Sequence, residues 1–512
     1  MLKERNFKFL KNEFWYVGVV NDGYQFPLNE NSTYNIDFST NDTFNQIMPM
    51  ALSSKGRFIY VDRGTLKFEK GEIRVFGNEI DYGEGYENLK GAYCKVRDKY
   101  FNISKIPEIM KKIQFQYCTW MALKTNQNQK GILDYAQSII ESGYPSGLLI
   151  IDDSWQQALG DWDFNERFEN PKEMVERLHQ QGFKVSLWIA PYISPSAKAF
   201  NEAYKNGLLL TNEDGSYFEA NSWLGKSAVF DMCNPNTVAY FTKLLDGLCD
   251  KYGIDGFKFD GGDEAFIRGA NTDCVKQNEI WCSFYKCDIV ECRSAYKMGG
   301  APVIQRLADK AHQWNVEEVH DLSIQEEPFI RYGLSSVIPD ALIQGLCGYY
   351  YTCPDMVGGG LSTTLGDDTF IDEELVIRNC QTEVLMPYVQ FSYPFWSNNP
   401  MIHKSFLECF SVRAKLQSLI DKCFDDVLKT GEPMLRLMEY QFPNQGFEAI
   451  TDQFMLGEDV LIAPVCKQGA VERKIQFPQG KWKRLNSNQV YTAGTYTVTA
   501  VIDELPVFIK EI

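Results

Sequence analysis

Apolar and polar positions along the chain follow three successive patterns. Over residues 1–105, short β-rich runs such as Phe58-Ile59-Tyr60-Val61 and Ile73-Arg74-Val75-Phe76 are separated by Gly- and Asn-containing turns. This predicts a β-sandwich without a long helix. Over 106–415 the pattern becomes strand, helix, strand, helix. Leu148-Leu149-Ile150-Ile151 is a continuous apolar run, 171–179 reads as a helix with proline in its first turn, and Val185-Ser186-Leu187-Trp188-Ile189 is the next strand. Residues 237–252 read as a helix leading into Gly256-Phe257-Lys258-Phe259-Asp260. Residues 303–307, 342–351 and 354–360 continue the series. Over 430–512 the chain returns to strands, as at 460–465 and 496–501, which predicts a second β-sandwich. Repeated βα units with near-continuous apolar strands mean a parallel sheet. Roughly 300 residues of them favour a (β/α)8 barrel over an open sheet. The expected fold class is therefore α/β, a (β/α)8 TIM barrel flanked by N-terminal and C-terminal β-sandwich domains.

Composition narrows the partners. The 512 residues carry a net charge of −17, which argues against nucleic acid and anionic membranes and suits a neutral ligand. The first residues, Met1-Leu2-Lys3-Glu4-Arg5, lead into no apolar signal segment, and no run of about 18 apolar residues suggests a membrane span. The 14 cysteines are irregularly spaced and only four histidines exist. The densest group, Cys274, Cys282, Cys287 and Cys292, lacks the paired spacing of a zinc site. The expectation is no metal, no cofactor and free thiols in a reducing, cytoplasmic setting. No Gly-x-Gly-x-x-Gly turn of the dinucleotide-binding kind is present. Homo-oligomerisation is compatible with the sequence but not specified by it.

Chemistry collects at the strand ends. In Lys258-Phe259-Asp260-Gly261-Gly262-Asp263, a lysine and a carboxylate two residues apart point to the same face of a buried strand. Burying such charges costs several kcal/mol unless they are paired or used. A plain Lys–Asp pair at a sheet edge would be the simplest account, but other strands end alike. Trp120 follows the run at 114–119, Asp152, Asp153 and Trp155 follow 148–151, and Trp188 ends the next strand. Arg306 and Trp314 lie on or after a later one, then come Asp355 and, at the end, Trp396. In a barrel all these ends face one mouth. A mouth lined by carboxylates and tryptophans, without metal ligands or a phosphate loop, suits a polyhydroxylated neutral substrate, a small carbohydrate. Paired carboxylates are the usual means of cleaving a glycosidic bond.

Four stretches carry a more specific resemblance: Ile151-Asp152-Asp153-Ser154-Trp155 with Gly160-Asp161-Trp162-Asp163-Phe164; Gly256-Phe257-Lys258-Phe259-Asp260; residues 348–359, ending Cys353-Pro354-Asp355-Met356-Val357-Gly358-Gly359; and residues 454–465 with Gly480-Lys481-Trp482. Together they span about 110 to 512. In this order they resemble glycoside hydrolase family 31, the retaining α-glycosidases, in the branch that holds the myogenesis-regulating glycosidase and related α-galactosidases. The resemblance implies that Asp260 is the nucleophile. It implies that Asp152, Asp153, Lys258, Arg306 and Asp355 contact sugar hydroxyls. Trp155, Trp188 and Trp314 would wall the first sugar subsite, with Trp120 and Asp263 also at the mouth.

The acid/base is where the chain departs from the family pattern, which places an Asp two or three residues after a Trp ending the sixth strand. Trp314 is followed by Asn315-Val316-Glu317-Glu318-Val319-His320-Asp321. Counting from Trp314 favours Glu317, a preference for Asp favours Asp321, and counting back from Ile338 gives Glu326. Glu317 and Asp321 are preferred. The leading expectation is an exo-acting α-glycosidase releasing terminal galactose or glucose from small oligosaccharides or glycosides. Competing readings are a sugar-binding protein on a degraded glycosidase scaffold and an α-transglycosylase.

Overall fold

The computed structural model describes residues 3–40, 43–320, 329–366, 369–397 and 399–511. Its centre is an eight-stranded parallel sheet: β1 (Phe115–Cys118), β2 (Leu148–Ile151), β3 (Lys184–Ile189), β4 (Gly256–Phe259), β5 (Ile289–Cys292), β6 (Ile304–Arg306), β7 (Thr352–Cys353) and β8 (Val389–Phe391). Strands β1 to β7 are neighbours in order, and β8 pairs with β1. A parallel bridge between Met356, just past β7, and Gln390 of β8 closes the ring. The molecule is thus a (β/α)8 barrel.

The alternation along β4 shows how the sequence aims its chemistry. Phe257 and Phe259 point outward and pack on Tyr285, Trp281 and Phe284. Lys258 therefore faces the barrel interior, in register with Trp188 of β3 and Glu291 of β5. Below the mouth the interior is polar rather than aliphatic. The Gln390 amide donates to Gln116 Oε1 (2.9 Å) and to Glu291 Oε2 (3.0 Å).

On the N-terminal side, a four-stranded antiparallel sheet (Lys3–Lys8, Glu72–Gly77, Thr65–Glu69, Tyr34–Asp37) faces a second sheet of Trp15–Val19, Gln46–Ser53, Phe58–Tyr60 and Asp81–Gly83. Trp15 meets Phe68 edge-on between the two layers. The second sheet is completed by a barrel segment, Ala295–Tyr296, lying parallel to Gln46-Ile47. On the C-terminal side, a six-stranded and a two-stranded antiparallel sheet enclose their own core around Phe477, Phe508 and the buried Trp482.

Two expectations are corrected. A twelve-residue helix, Leu89–Tyr100, follows the N-terminal sheets; its buried residues Leu89, Ala92, Tyr93 and Val96 fall at helical spacing within a mostly polar stretch. The apolar run at 342–351 is not one strand. Its first half finishes the helix Leu334–Leu346, and only Thr352–Cys353 pair in the barrel. Nearly all of that helix is buried, its polar Asp340 and Gln344 being paired with Lys310 and Gln46. Its outer side is covered by the N-terminal turn Val20–Gln25, where a Cβ on Gly23 would lie 2.7 Å from Asp340 Cα. A fully buried helix and a buried strand look alike in a hydropathy pattern.

All 14 cysteines are free thiols. Among the described residues, no cluster of three or more His, Cys, Asp or Glu could hold a metal ion, and no helix is long and apolar enough to cross a membrane.

Candidate active site

The C-terminal ends of the strands open into a cavity of about 570 Å³. At its floor Lys258 and Asp152 form a buried pair, Nζ to Oδ2 at 2.7 Å, and the Cys118 thiol donates to the same oxygen (3.0 Å). A lysine this deep loses most of its hydration. Burial alone would lower its pKa, but the charge of Asp152 outweighs this and raises it, so the ammonium persists.

Asp260 ends β4, and its side chain is 13% exposed. Oδ1 accepts from Arg293 Nε (2.8 Å) and from the Gly261 N–H (2.8 Å), whereas Oδ2 accepts from Trp188 Nε1 (3.0 Å). Burial pushes this carboxyl up, yet Arg293, then Lys258 and Arg306, together hold it well below the usual carboxylate range. The following Gly261 and Gly262 both have positive φ (68° and 72°). A Cβ on Gly262 would lie 2.5 Å from Trp281. The turn thus needs glycine to bring the backbone N–H back onto the carboxylate.

Arg293 ties several parts together. Besides Asp260 it binds Asp263 Oδ2 through Nη2 (2.7 Å), donates through Nη1 to the Phe44 carbonyl of the N-terminal domain, and lies 5.6 Å from the Trp223 ring centre. Opposite it stands Arg306, the last residue of β6. One nitrogen, Nη1, reaches both Asp309 Oδ1 (2.5 Å) and Asp355 Oδ1 (2.8 Å). Asp355 is fully buried at φ 98° and also accepts from the Lys310 and Gly360 N–H groups. Burial, and next the charge of Asp309, raise its pKa to about 6. Asp309, 44% exposed, is the first acidic residue after the sixth strand, and it lines the cavity.

Of the residues singled out by sequence, Trp120, Asp152, Asp153, Trp188, Lys258, Asp260 and Arg306 line this cavity. Asp263 and Asp355 lie just behind it, holding Arg293 and Arg306. Trp155 does not reach it: the ring is buried, packs on Trp162 and Phe164, and donates to the Trp188 carbonyl (2.9 Å). Trp396 is core, packed on Tyr135 and Tyr144. Trp314 and Glu317 line a separate cleft with His312 and Asp372. There Trp314 Nε1 bonds Asp372 (2.9 Å), and Glu317 is exposed on the hairpin strand Glu317–Val319. Trp314 lies eight residues beyond β6. Asp321 and Glu326 lie outside the described residues.

Sequence reasoning missed Arg293, Asp309, Phe44, Trp223 and Phe266, all of which line the cavity. The signal for Arg293 was the run Ile289-Val290-Glu291-Cys292, a strand hidden by attention to its cysteine. Asp309 stood only three residues past Arg306. Phe44 and Trp223 sit on loops and Phe266 ends a single 3-10 turn, where no periodicity announces them.

Comparisons with known proteins agree with this architecture. The model of the glycosyl hydrolases family 31 TIM-barrel domain matches residues 108–335, and that of the family's C-terminal domain matches 431–511, together more than half of the chain. The chain belongs to glycoside hydrolase family 31. Among family relatives, the mouse myogenesis-regulating glycosidase is 29% identical over 402 residues, covering 75% of this chain and 54% of that protein. An alpha-xylosidase of Lactiplantibacillus pentosus is 24% identical, covering 91% of this chain and 62% of its own length. The chain thus spans less than two-thirds of either relative. The solved family 31 dextranase of Flavobacterium johnsoniae superposes with a TM-score of 0.81 at 19% identity, over 99% of this chain and 66% of that one, a likeness of fold.

Proposed function

We propose that this chain is a retaining exo-α-glycosidase that releases a terminal α-linked galactose or glucose from small oligosaccharides or glycosides. The observation behind this reading is Asp260, a carboxylate kept ionised by three cations in the cavity at the strand ends, with the accessible acid Asp309 on the loop after a strand two places away. In the first step Asp260 Oδ2, held by one neutral donor, attacks the anomeric carbon. The glycosidic C–O bond breaks as the Asp309 carboxyl gives its proton to the leaving oxygen. In the second step Asp309 takes a proton from water, which opens the glycosyl ester and frees Asp260. Asp152, Asp153, Lys258 and Trp188 bind the sugar. Among the described acids expected or found near the mouth, Asp309 suits the acid/base role better than Glu317, because it lies in the same cavity as Asp260, three residues after the sixth strand; Asp321, the other residue expected from sequence, lies outside the described residues.

An acid at this place supports catalysis over a degraded, binding-only scaffold. The aromatic rim of Phe44, Trp223 and Phe266 favours a second reading, transglycosylation, in which a second sugar held there replaces water. The 14 free thiols support a cytoplasmic location.

A panel of nitrophenyl α-glycosides, followed by NMR of the released anomer and mass spectrometry of the protein, tests the proposal. The expected result is α-product and an adduct on Asp260. Asp309→Ala slows substrates with poor leaving groups about 10²- to 10⁴-fold and nitrophenyl glycosides less. Inversion of configuration, or an adduct elsewhere, overturns the assignment.

A further inference from the structure

Strands β5 and β6 stop pairing at Cys292 opposite Gln305. The next residue on each is an arginine, Arg293 or Arg306, and each guanidinium holds one of the two reacting carboxylates. Where the ladder ends, a side chain from another domain replaces it. Gln46, fully buried in the second N-terminal sheet, donates through Nε2 to the carbonyl oxygens of both Arg293 (2.5 Å) and Arg306 (2.7 Å). Its own oxygen accepts from Gln344 Nε2 (2.9 Å) on the helix Leu334–Leu346, so the amide has a fixed orientation. The backbone keeps Gln46 there. After Arg293 and Ser294 the chain enters the N-terminal sheet as Ala295–Tyr296, with Ala295 opposite Gln46. Arg293 thus sits in a two-residue link between a barrel strand and a strand of the neighbouring domain. The Phe44 carbonyl, two residues before Gln46, takes one of its guanidinium N–H groups.

We infer that Gln46 is a positioning residue for the reaction and that the N-terminal sheet is part of the catalytic apparatus: one carboxamide sets the spacing of the two strand ends whose arginines hold Asp260 and Asp309. This rests on the roles proposed above for those two carboxylates. The sugar-binding groups Asp152, Asp153, Trp188 and Lys258 end strands β2 to β4, which Gln46 does not touch. Loosening Gln46 should therefore disturb the distance between nucleophile and acid and leave sugar binding in place. A misplacement of about 1 Å between reacting groups costs roughly 10²-fold in rate.

The experiment compares Gln46→Met, of similar length but without donors, with the wild-type chain on the best substrate of the nitrophenyl panel. Folding is checked by near-UV circular dichroism and rates are expressed per folded molecule. The expected result is a fall in kcat of about 10- to 100-fold, with KM within about two-fold. Gln344→Met leaves both Gln46 donors in place; it frees the amide's orientation and removes the Gln344 Nε2 bond to the Gln305 carbonyl of β6 (3.2 Å). It should give a smaller fall in kcat, again with KM steady, and it decides the matter if Gln46→Met does not fold. A lowered melting temperature with unchanged kcat, or a raised KM with unchanged kcat, overturns the inference and leaves the glycosidase reading intact. A wild-type chain inactive on the whole panel overturns that reading and takes this inference with it.

Discussion

Asp153 and Asp260 end strands separated only by β3, yet their surroundings drive them in opposite directions. Asp260 meets three cations and stays ionised in any ordinary buffer. Asp153 has as donors the Ser154 N–H (2.6 Å) and the Gln156 amide (3.2 Å), while the nearby lysine is already paired with Asp152. Burial, and then the charge of Asp152, push Asp153 up to about 6. A contact that accepts hydrogen bonds from sugar hydroxyls works in its ionised form, and protonation removes acceptor capacity. Activity should therefore fall as pH drops through about 6, and kcat/KM, which reports the free enzyme, should show this acid limb. Asp153→Asn should raise KM and carry the limb to lower pH. A limb that stays in place in that variant would assign the titration to another group.

At the scale of elements, the turn after β4 brings a second test. Gly261 and Gly262 adopt left-handed backbone, and the second is pressed against Trp281. Gly262→Ala should destabilise the fold by about 1–2 kcal/mol from the backbone alone, and by more from the contact, as read by urea unfolding. Unchanged stability would mean that Trp281 yields at no cost. This turn was legible in sequence, because Lys-x-Asp before Gly-Gly at the end of an apolar strand recurs alongside polar and aromatic endings on several other strands. The barrel was legible for a similar reason, since continuous apolar strands alternating with helices pack in few ways. What escaped were elements defined by their neighbours. The helix Leu334–Leu346 is buried on its outer side because an N-terminal turn covers it. Strand β6 is three residues long, too short for a pattern to mark Asp309, three residues past its end, as a residue at the mouth. Phe44 reaches the cavity from another domain, which no local pattern records.

Across the whole molecule, the C-terminal sheets are fastened to the barrel by a cation that pairs with backbone carbonyls and, among the described residues, forms no salt bridge. Arg378, fully buried on the helix Glu373–Glu383, donates through Nη2 to the carbonyls of Ala470 (3.1 Å) and Ala500 (2.8 Å) and through Nη1 to that of Val501 (3.2 Å). Gln381, one turn on, donates to the Ile502 carbonyl (2.6 Å). Losing the guanidinium would leave the buried Ala500 carbonyl, and the partly buried carbonyls of Ala470 and Val501, without their donor, a cost of roughly 1–3 kcal/mol for a buried group. The same helix also serves the cavity: Asn379 accepts from the Gly358 N–H, in the loop that runs from Asp355 to the cavity wall at Gly360. The two attachments are separable, because they use different side chains. Arg378→Met should therefore lower stability by about 3 kcal/mol or more, read as an earlier urea midpoint, while kcat and KM of the folded protein stay within about two-fold. An unchanged midpoint would show that apolar packing alone docks the C-terminal sheets. A large loss of kcat with intact fold would show instead that the helix transmits their position to the loop carrying Asp355.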